Sequence, residues 1–555
     1  MPKVIINEVD QSRYIAPGNE APVVILVPGT ASFGPVFTKE NPKVHTFVGA
    51  NDLSAFYNMF GLSAATYKNG TAVTTITGDV SFDYVTNLLN KGATVKFYRL
   101  NEGEYAKSAK LADITIDGES VELKLSAKYT GKLGNYLIVD AKRVKDSTTD
   151  VILSVYRMSV SNEANIDTDD KILANLSKYN RIESYRVSND INSSFYDNIN
   201  EFEYISVDTY IISELVKKLD ELFKNEKKTE IIYRLNGGAD FKDTDSIIDS
   251  LHTAIGDSFE NFADPYLFDF DFVTSGGFVT DDGYDTTGGE LTIHAKMIAL
   301  CEKRGDCEAI LDTPYDFSAD DVITYSSKIN TSYATIYAPW CSSVSAATGR
   351  TVMMPPSYNF LQAILYGMSK NAVENQLWYV PAGVNRAAAP FIINPKYEIG
   401  SVILDKFQNN HDYRVNPIMR VRNYGYCIYG NSTCQQSVSG TANSALESLN
   451  VRLLANVIKK SIFAVCCGLA FEYNDSRLWT KFYAQMDVVL TYMKRHFGLY
   501  DYKIIMDTTT VTAAAMNERR VPGKIKISPQ LAGEFFDIDF EIAPSGVSFS
   551  EEDNG

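Results

Sequence analysis

The stretch "PVVILVPGTASFGPV", residues 22–36, decides how the rest of the chain is read. Val23 to Val27 form an unbroken β-branched and aliphatic run, and Pro28, Gly29, Gly34 and Pro35 close it with turn residues. A short apolar run bounded by such residues predicts a buried strand that leaves through a glycine turn. Downstream, "DYVTNLLNKGATVKFYRL" (83–100) supplies the next elements, a helix, a glycine stop at Gly92 and another buried strand. Strand, helix and strand in that order predict parallel pairing.

The same grammar returns later. "YLFDFDFVTSG" (266–276), "EAILDTP" (308–314) and "YATIYAPW" (333–340) are strand candidates, and "ELTIHAKMIALCEKRG" (290–305) is one of the helical segments between them. Between the two α/β stretches the texture changes. From Glu102 to Arg143 short alternating segments with turns at Asp117-Gly118 and Gly131 to Gly134 predict a β-rich part. "ISELVKKLDELFKNEKKTE" (212–230) follows at helical spacing. Two long helices dominate the last third, "SALESLNVRLLANVIKKSIFAVCCGLAF" (444–471) and "SRLWTKFYAQMDVVLTYMKRHFG" (476–498), the second expected to stop at Gly498. The strands "YKIIMD" (502–507) and "GKIKISP" (523–529) come after them.

The expected fold class is therefore α/β and α+β multidomain. It has an N-terminal αβ segment (21–101), a β-rich and helical insertion (102–235), a central α/β sheet (236–375) and a C-terminal α+β domain (376–532) with two long helices and a small sheet. The two ends stand apart from this. "FDIDFEI" (536–542) alternates Phe536, Ile538, Phe540 and Ile542 with Asp537, Asp539 and Glu541, and "KVIINEV" (3–9) places Val4, Ile5, Ile6 and Val9 in a β-type run before the linker-like "APGNEAP". Each reads as one extended strand in an arm, 1–20 and 533–555, that needs a sheet to join.

Composition narrows the function. A chain of 555 residues with 45% apolar and 22% charged residues is ordinary folded protein and too long for one core. A net charge of −17 argues against a main role on nucleic acid or an anionic membrane, both of which prefer a basic surface. The longest apolar run, "IFAVCCGLAF" (462–471), is about half a membrane span, and no secretory signal opens the chain. Seven cysteines without a CxxC pair read as reduced, buried thiols of a protein folded in the cytosol.

Chemistry is sparse. GxSxG, HExxH, GxxxxGK[ST] and EF-hand patterns are missing. "GTASFGPV" has two glycines at phosphate-loop spacing but no lysine, so a tight turn is the better reading. The acidic loop "TDDGYDTTGGE" could offer Asp281, Asp282 and Asp285 to a hard cation, although exposed acidic loops are far commoner than calcium sites. His45, His252, His294, His411 and His496 show no paired spacing. No catalytic residue, metal or cofactor is assigned, and an α/β hydrolase is the weaker rival.

In order along the chain, "INEVDQS", "VVILVPGTASFGPV", "FYNMFG", "NKGATVKFYRL" and "AKYTGKLGNYLIV" with Gly131, Gly134 and Asn135 form a set of landmarks. They continue through "LNGGAD" (235–240), "SYATIYAPW", "MMPPS", "VPAGVNR", "VNPI", "YGYCIYGNST", "LNVRLLANVIKKSI" and "FEYNDSRLW". Together they resemble the tail sheath proteins of contractile bacteriophage tails and related injection machines. Leu133 stands where that family usually has a tryptophan, Gly430 to Thr433 replaces a motif that more often carries Ala-Arg-Thr, and residues 145–235 show little likeness.

The resemblance implies a non-enzymatic structural subunit that stacks as six-fold rings in a helical polymer around a tail tube. It would contract to drive the tube through the host envelope during genome ejection. Implied partners are further copies of the chain, the tube protein, and baseplate and terminator proteins, with no direct nucleic-acid or membrane contact. The setting would be the virion tail, assembled in the host cytoplasm, and the alternative is the sheath of a bacteriocin or other injection device. The two arms would be strands donated to other subunits. Arg452, Lys459, Lys460, Lys494 and Arg495, locally basic in an acidic chain, are the expected contacts to an acidic tube wall.

Overall fold

A computed structural model describes residues 23–533 except 40–41, 62–77, 110–114, 117–118, 121–124, 159–174, 242–246, 280–291, 347–348, 350, 371–375, 409–413 and 438–443. Val24–Gly29 is a strand inside an eight-stranded mixed sheet, flanked in parallel by Thr94–Arg99 on one side and Phe272–Thr274 on the other. Glu308–Leu311, Ala334–Ala338 and Asn416–Val421 extend the parallel run. Antiparallel strands His45–Val48 and Gly425–Ile428 close the two edges.

Alternation along these strands separates two cores. Ile25, Val27, Val95, Phe97, Phe272 and Ile310 point to one face, where they meet helices Leu53–Phe60, Gly78–Asn90 and Pro356–Lys370. Leu26, Tyr98, Val273, Ala309 and Leu311 point to the other, against helices Ile247–Ser258, Ile293–Arg304 and Ala319–Ser326. The strand expected to be buried at 23–27 is thus covered on both faces, as in a sheet with helices on either side. At its end the chain turns through Gly34, whose φ of +91° and 2.7 Å approach of a would-be Cβ to the Phe60 ring leave room for glycine alone.

Residues 105–236 build a second, antiparallel sheet of seven strands backed by helix Thr209–Glu226. A buried junction joins the two sheets. Arg99 is fully buried at the end of its strand, and its guanidinium donates to Asn101 Oδ1 (3.0 Å), Gly34 O (2.9 Å) and Thr130 O (2.7 Å). Asn101 in turn holds Ala31 O and Asp240 O, and Asp240 accepts from the Lys132 amide at 2.7 Å. Buried charge-assisted bonds of this kind fix relative geometry, because removing any one leaves an orphaned buried acceptor.

The strand expected over 266–276 is short. Only Phe272–Thr274 pairs, since Asp264 caps a turn through the Tyr266 amide and Asp269 and Asp271 turn to Lys460. The thiol expectation also needs correction. Cys301, Cys307, Cys341, Cys427 and Cys434 are buried, but Cys466 and Cys467 are exposed, because they lie on the outward face of the long helix beyond its buried first half.

Candidate assembly interface

Helix Leu449–Leu469 leaves the large sheet and carries the C-terminal part of the chain. Leu449 and Leu453 belong to the sheet's core, whereas Leu454, Ile458 and Val465 pack with the second helix, Ser476–Arg495. That second helix starts at Asp475, whose carboxylate accepts from the Arg477 and Leu478 amides. A hydrogen bond from the Arg477 guanidinium, together with those amides, holds the Asp475 carboxyl below its ordinary range. Its buried stripe is Leu478, Phe482, Met486, Val489, Leu490 and Met493, the three-and-four spacing of one helix face.

This helix ends through a left-handed residue, but that residue is Phe497 at φ +56° and not Gly498. Gly498 is needed for a different reason. A Cβ there would sit 2.9 Å from the Trp378 ring, which packs over the turn and donates its indole N–H to His496 O.

After the turn comes a hairpin, strands Leu499–Ile505 and Lys524–Pro529, paired antiparallel. Tyr502, Ile504, Ile525 and Ile527 lie against the second helix, and Tyr502 reaches Asp487 Oδ1 at 2.7 Å. The opposite face carries Lys503, Lys524 and Lys526, all exposed. Register places Lys503 directly across from Lys526. These two strands form a sheet of their own, so among the described residues both outer edges are unpaired. An isolated two-stranded sheet is marginal in water, and open edges are templates for further strands.

The candidate tube contacts are scattered among several environments. Arg452 is buried, its guanidinium donating to Ser332 O and Ser332 Oγ and lying 4.0 Å over the Tyr333 ring. Lys460 is mostly buried between Asp271 (2.6 Å) and Asp269 (2.7 Å), which raise its pKa above the ordinary lysine value against the opposing effect of burial. Both tie the helix to the large sheet and are internal in this conformation. Lys459 is exposed and donates to the Tyr333 hydroxyl at 2.7 Å. Lys494 is exposed, pairing with Asp501 at 2.8 Å, and Arg495 is exposed without an ion pair among the described residues.

Val4, Ile5, Ile6, Val9, Phe536, Ile538, Phe540 and Ile542 lie outside the described residues, as do His411 and the loop holding Asp281, Asp282 and Asp285. Of the remaining histidines, His252 lies near enough to His294 to lower its pKa beside the larger effect of burial. His294 is buried against the Tyr325 hydroxyl and His45 packs on the Phe60 ring. No group of three or more potential metal ligands occurs among the described residues. No helix among them is long and apolar enough to cross a membrane. Lys524 and Lys526 fall in the basic stretch "NERRVPGKIK" (517–526), which the sequence already marks as either a solvated face or a docking surface for an acidic partner, whereas Lys503 across the hairpin was not singled out.

No protein-family model matches the chain. The tail sheath protein of Vibrio phage KVP40 is 25% identical over 177 residues, covering 32% of this chain and 25% of that protein. The tail sheath protein of Enterobacteria phage T4 is 22% identical over 275 residues, 47% of this chain and 40% of that protein. The chain thus matches well under half the length of either relative, and both are named for a structural role, not an enzymatic one. In fold, the crystal structure of the sheath tail protein Lin1278 from Listeria innocua superposes with a TM-score of 0.52 at 11% identity, covering 88% of this chain and 89% of that one. In sequence the chain is thus similar to phage tail sheath proteins, and in fold to a sheath tail protein.

Proposed function

We propose that this chain is the subunit of a contractile tail sheath, polymerising as stacked hexameric rings around a tail tube and shortening to drive that tube through a host envelope. The observation that carries the reading is the C-terminal hairpin, whose two outer edges are open among the described residues, in a chain whose sequence carries a β-type run at 3–9 and a strand-like alternation at 536–542. A donor strand on one subunit and an acceptor edge on the next make a heterologous contact, which generates rings and helical filaments. The relatives' names support the same reading.

Energetics favour several arms acting together. Burying the four apolar side chains of 536–542 contributes roughly 6–12 kcal/mol, and ordering seven backbone residues costs roughly 7–14 kcal/mol. One arm is near break-even, so each docked strand serves chiefly to raise the effective concentration of the next. In this reading residues 1–20 and 533–555 are tethers, the C-terminal part (376–532) faces the tube, and Lys459, Lys494 and Arg495 are its candidate contacts there. Tube, baseplate and terminator proteins are the partners, and the virion tail is the location.

Sedimentation of the full-length chain beside a truncation lacking 533–555 tests this. Large, concentration-dependent polymers from the full-length chain alone support strand donation. Equal sedimentation of the two as monomers would overturn it.

A further inference from the structure

The hairpin's exposed lysines pose a physical problem. Lys503 and Lys526 face each other across the strands, and Lys524 lies on the same face two residues from Lys526. None of the three has an ion pair among the described residues. Like charges directly opposite destabilise a sheet. The one carboxylate on this face, Asp501, is already engaged by Lys494. On the Lys524–Pro529 edge the outward residues are Lys524, Lys526 and Ser528, with no acid among them.

The segment 536–542 is complementary to that edge on both faces. Laid beside it, Phe536, Ile538, Phe540 and Ile542 continue the apolar layer of Ile525 and Ile527 over the second helix. Asp537, Asp539 and Glu541 then fall on the lysine face. A slip of one residue would exchange the faces, setting three carboxylates against Met486, Val489 and their neighbours and three apolar side chains beside the lysines. Resting on the strand-donation reading, we propose that Lys503, Lys524 and Lys526 form the acidic-strand receptor of the hairpin, selecting the C-terminal segment 536–542 of another copy and fixing its register on the Lys524–Pro529 edge.

Edge lysines have a second established use, repelling unwanted strands. The two roles predict opposite effects of neutralisation. Lys503, Lys524 and Lys526 all changed to Gln should raise the critical concentration for polymerisation if they receive the acidic strand, and lower it if they only repel. The decisive experiment uses two full-length reversals, one with Lys503, Lys524 and Lys526 changed to Glu, the other with Asp537, Asp539 and Glu541 changed to Lys.

Each reversal alone should raise the critical concentration on the order of tenfold, and a mixture of the two should copolymerise near the wild-type concentration. A mixture that stays unassembled overturns receptor and donor pairing between copies. Rescue only when both reversals share one chain keeps the charge pairing but places it within a molecule, which overturns the proposal. The truncation lacking 533–555 reports on strand donation itself, so failure of that broader reading shows separately as an unaffected truncation.

Discussion

Replacing Gly131 by alanine tests the junction between the two sheets. Gly131 has φ +129°, and a Cβ built on it would lie 2.0 Å from Ser32 O and 2.5 Å from Ser32 C, both backbone atoms. Real Cβ contacts stay beyond 3.0 Å, so the two segments must part by about 1 Å. The Leu133 amide donates to the same Ser32 oxygen at 3.1 Å, and a parting of that size takes the bond past the distance at which it counts as one. Losing a buried hydrogen bond costs about 1–3 kcal/mol, and holding alanine at this φ costs a similar 1–3 kcal/mol.

Taking the low ends together, amide exchange at Lys132 and Leu133 should accelerate at least roughly thirtyfold. Exchange is the right assay because it reads local opening without requiring a two-state transition of so large a chain. Gly237→Ala is the control, since Gly237 also has a positive φ (+81°) but nothing within 4 Å of its would-be Cβ. Its cost is backbone strain alone. If Gly131→Ala behaves like Gly237→Ala, the close approach at Ser32 does not hold the sheets together.

Three further outcomes follow from buried charges and packing. Lys460→Met leaves Asp271 with its Val24 amide and no cation, and should cost about 2–4 kcal/mol in chemical denaturation. Adding Asp271→Asn should recover at least about 1 kcal/mol of that loss, and strict additivity would refute the pairing. His294, pushed down to about 3 mainly by burial and secondarily by His252, stays neutral in the fold while the unfolded chain titrates near 6.5. Its contribution is intact above pH 6.5 and falls by about 1.4 kcal/mol per pH unit below it.

His294→Gln should therefore flatten the acid side of the stability profile relative to wild type, and parallel curves would contradict this. Gly498→Ala should displace Trp378, visible as a red shift of tryptophan emission, because its Cβ meets the indole ring at 2.9 Å. An unchanged spectrum would show that the ring has room to yield.

Local pattern carried much of the architecture. The apolar run at 23–27 gave away a buried strand, and the three-and-four spacing in 444–471 and 476–498 gave two helices that the structure bounds at Leu449–Leu469 and Ser476–Arg495. Periodicity is a one-dimensional signal, so it could not show that segments 24–99, 272–338 and 416–428 share one sheet. Arg452 and Lys460 read as surface cations because their partners are far off in sequence. Ser332 lies 120 residues from Arg452, and Asp271 lies 189 from Lys460. At 266–271 the alternation of Phe and Asp looked like strand, but tertiary partners for Asp269 and Asp271 overrode it. Of the proposed assembly surface, the alternation at 536–542 and the basic stretch "NERRVPGKIK" (517–526) were legible in the sequence, whereas the hairpin's open edges and the pairing of Lys503 with Lys526 came only from the structure.

The most direct test of the central claim is electron cryomicroscopy of the full-length chain incubated at concentrations that favour assembly. The account predicts hollow, ribbed helical tubes in which residues 536–542 of one subunit lie along the Lys524–Pro529 edge of another. A closed, discrete oligomer, or a polymer in which that edge stays bare, would contradict it.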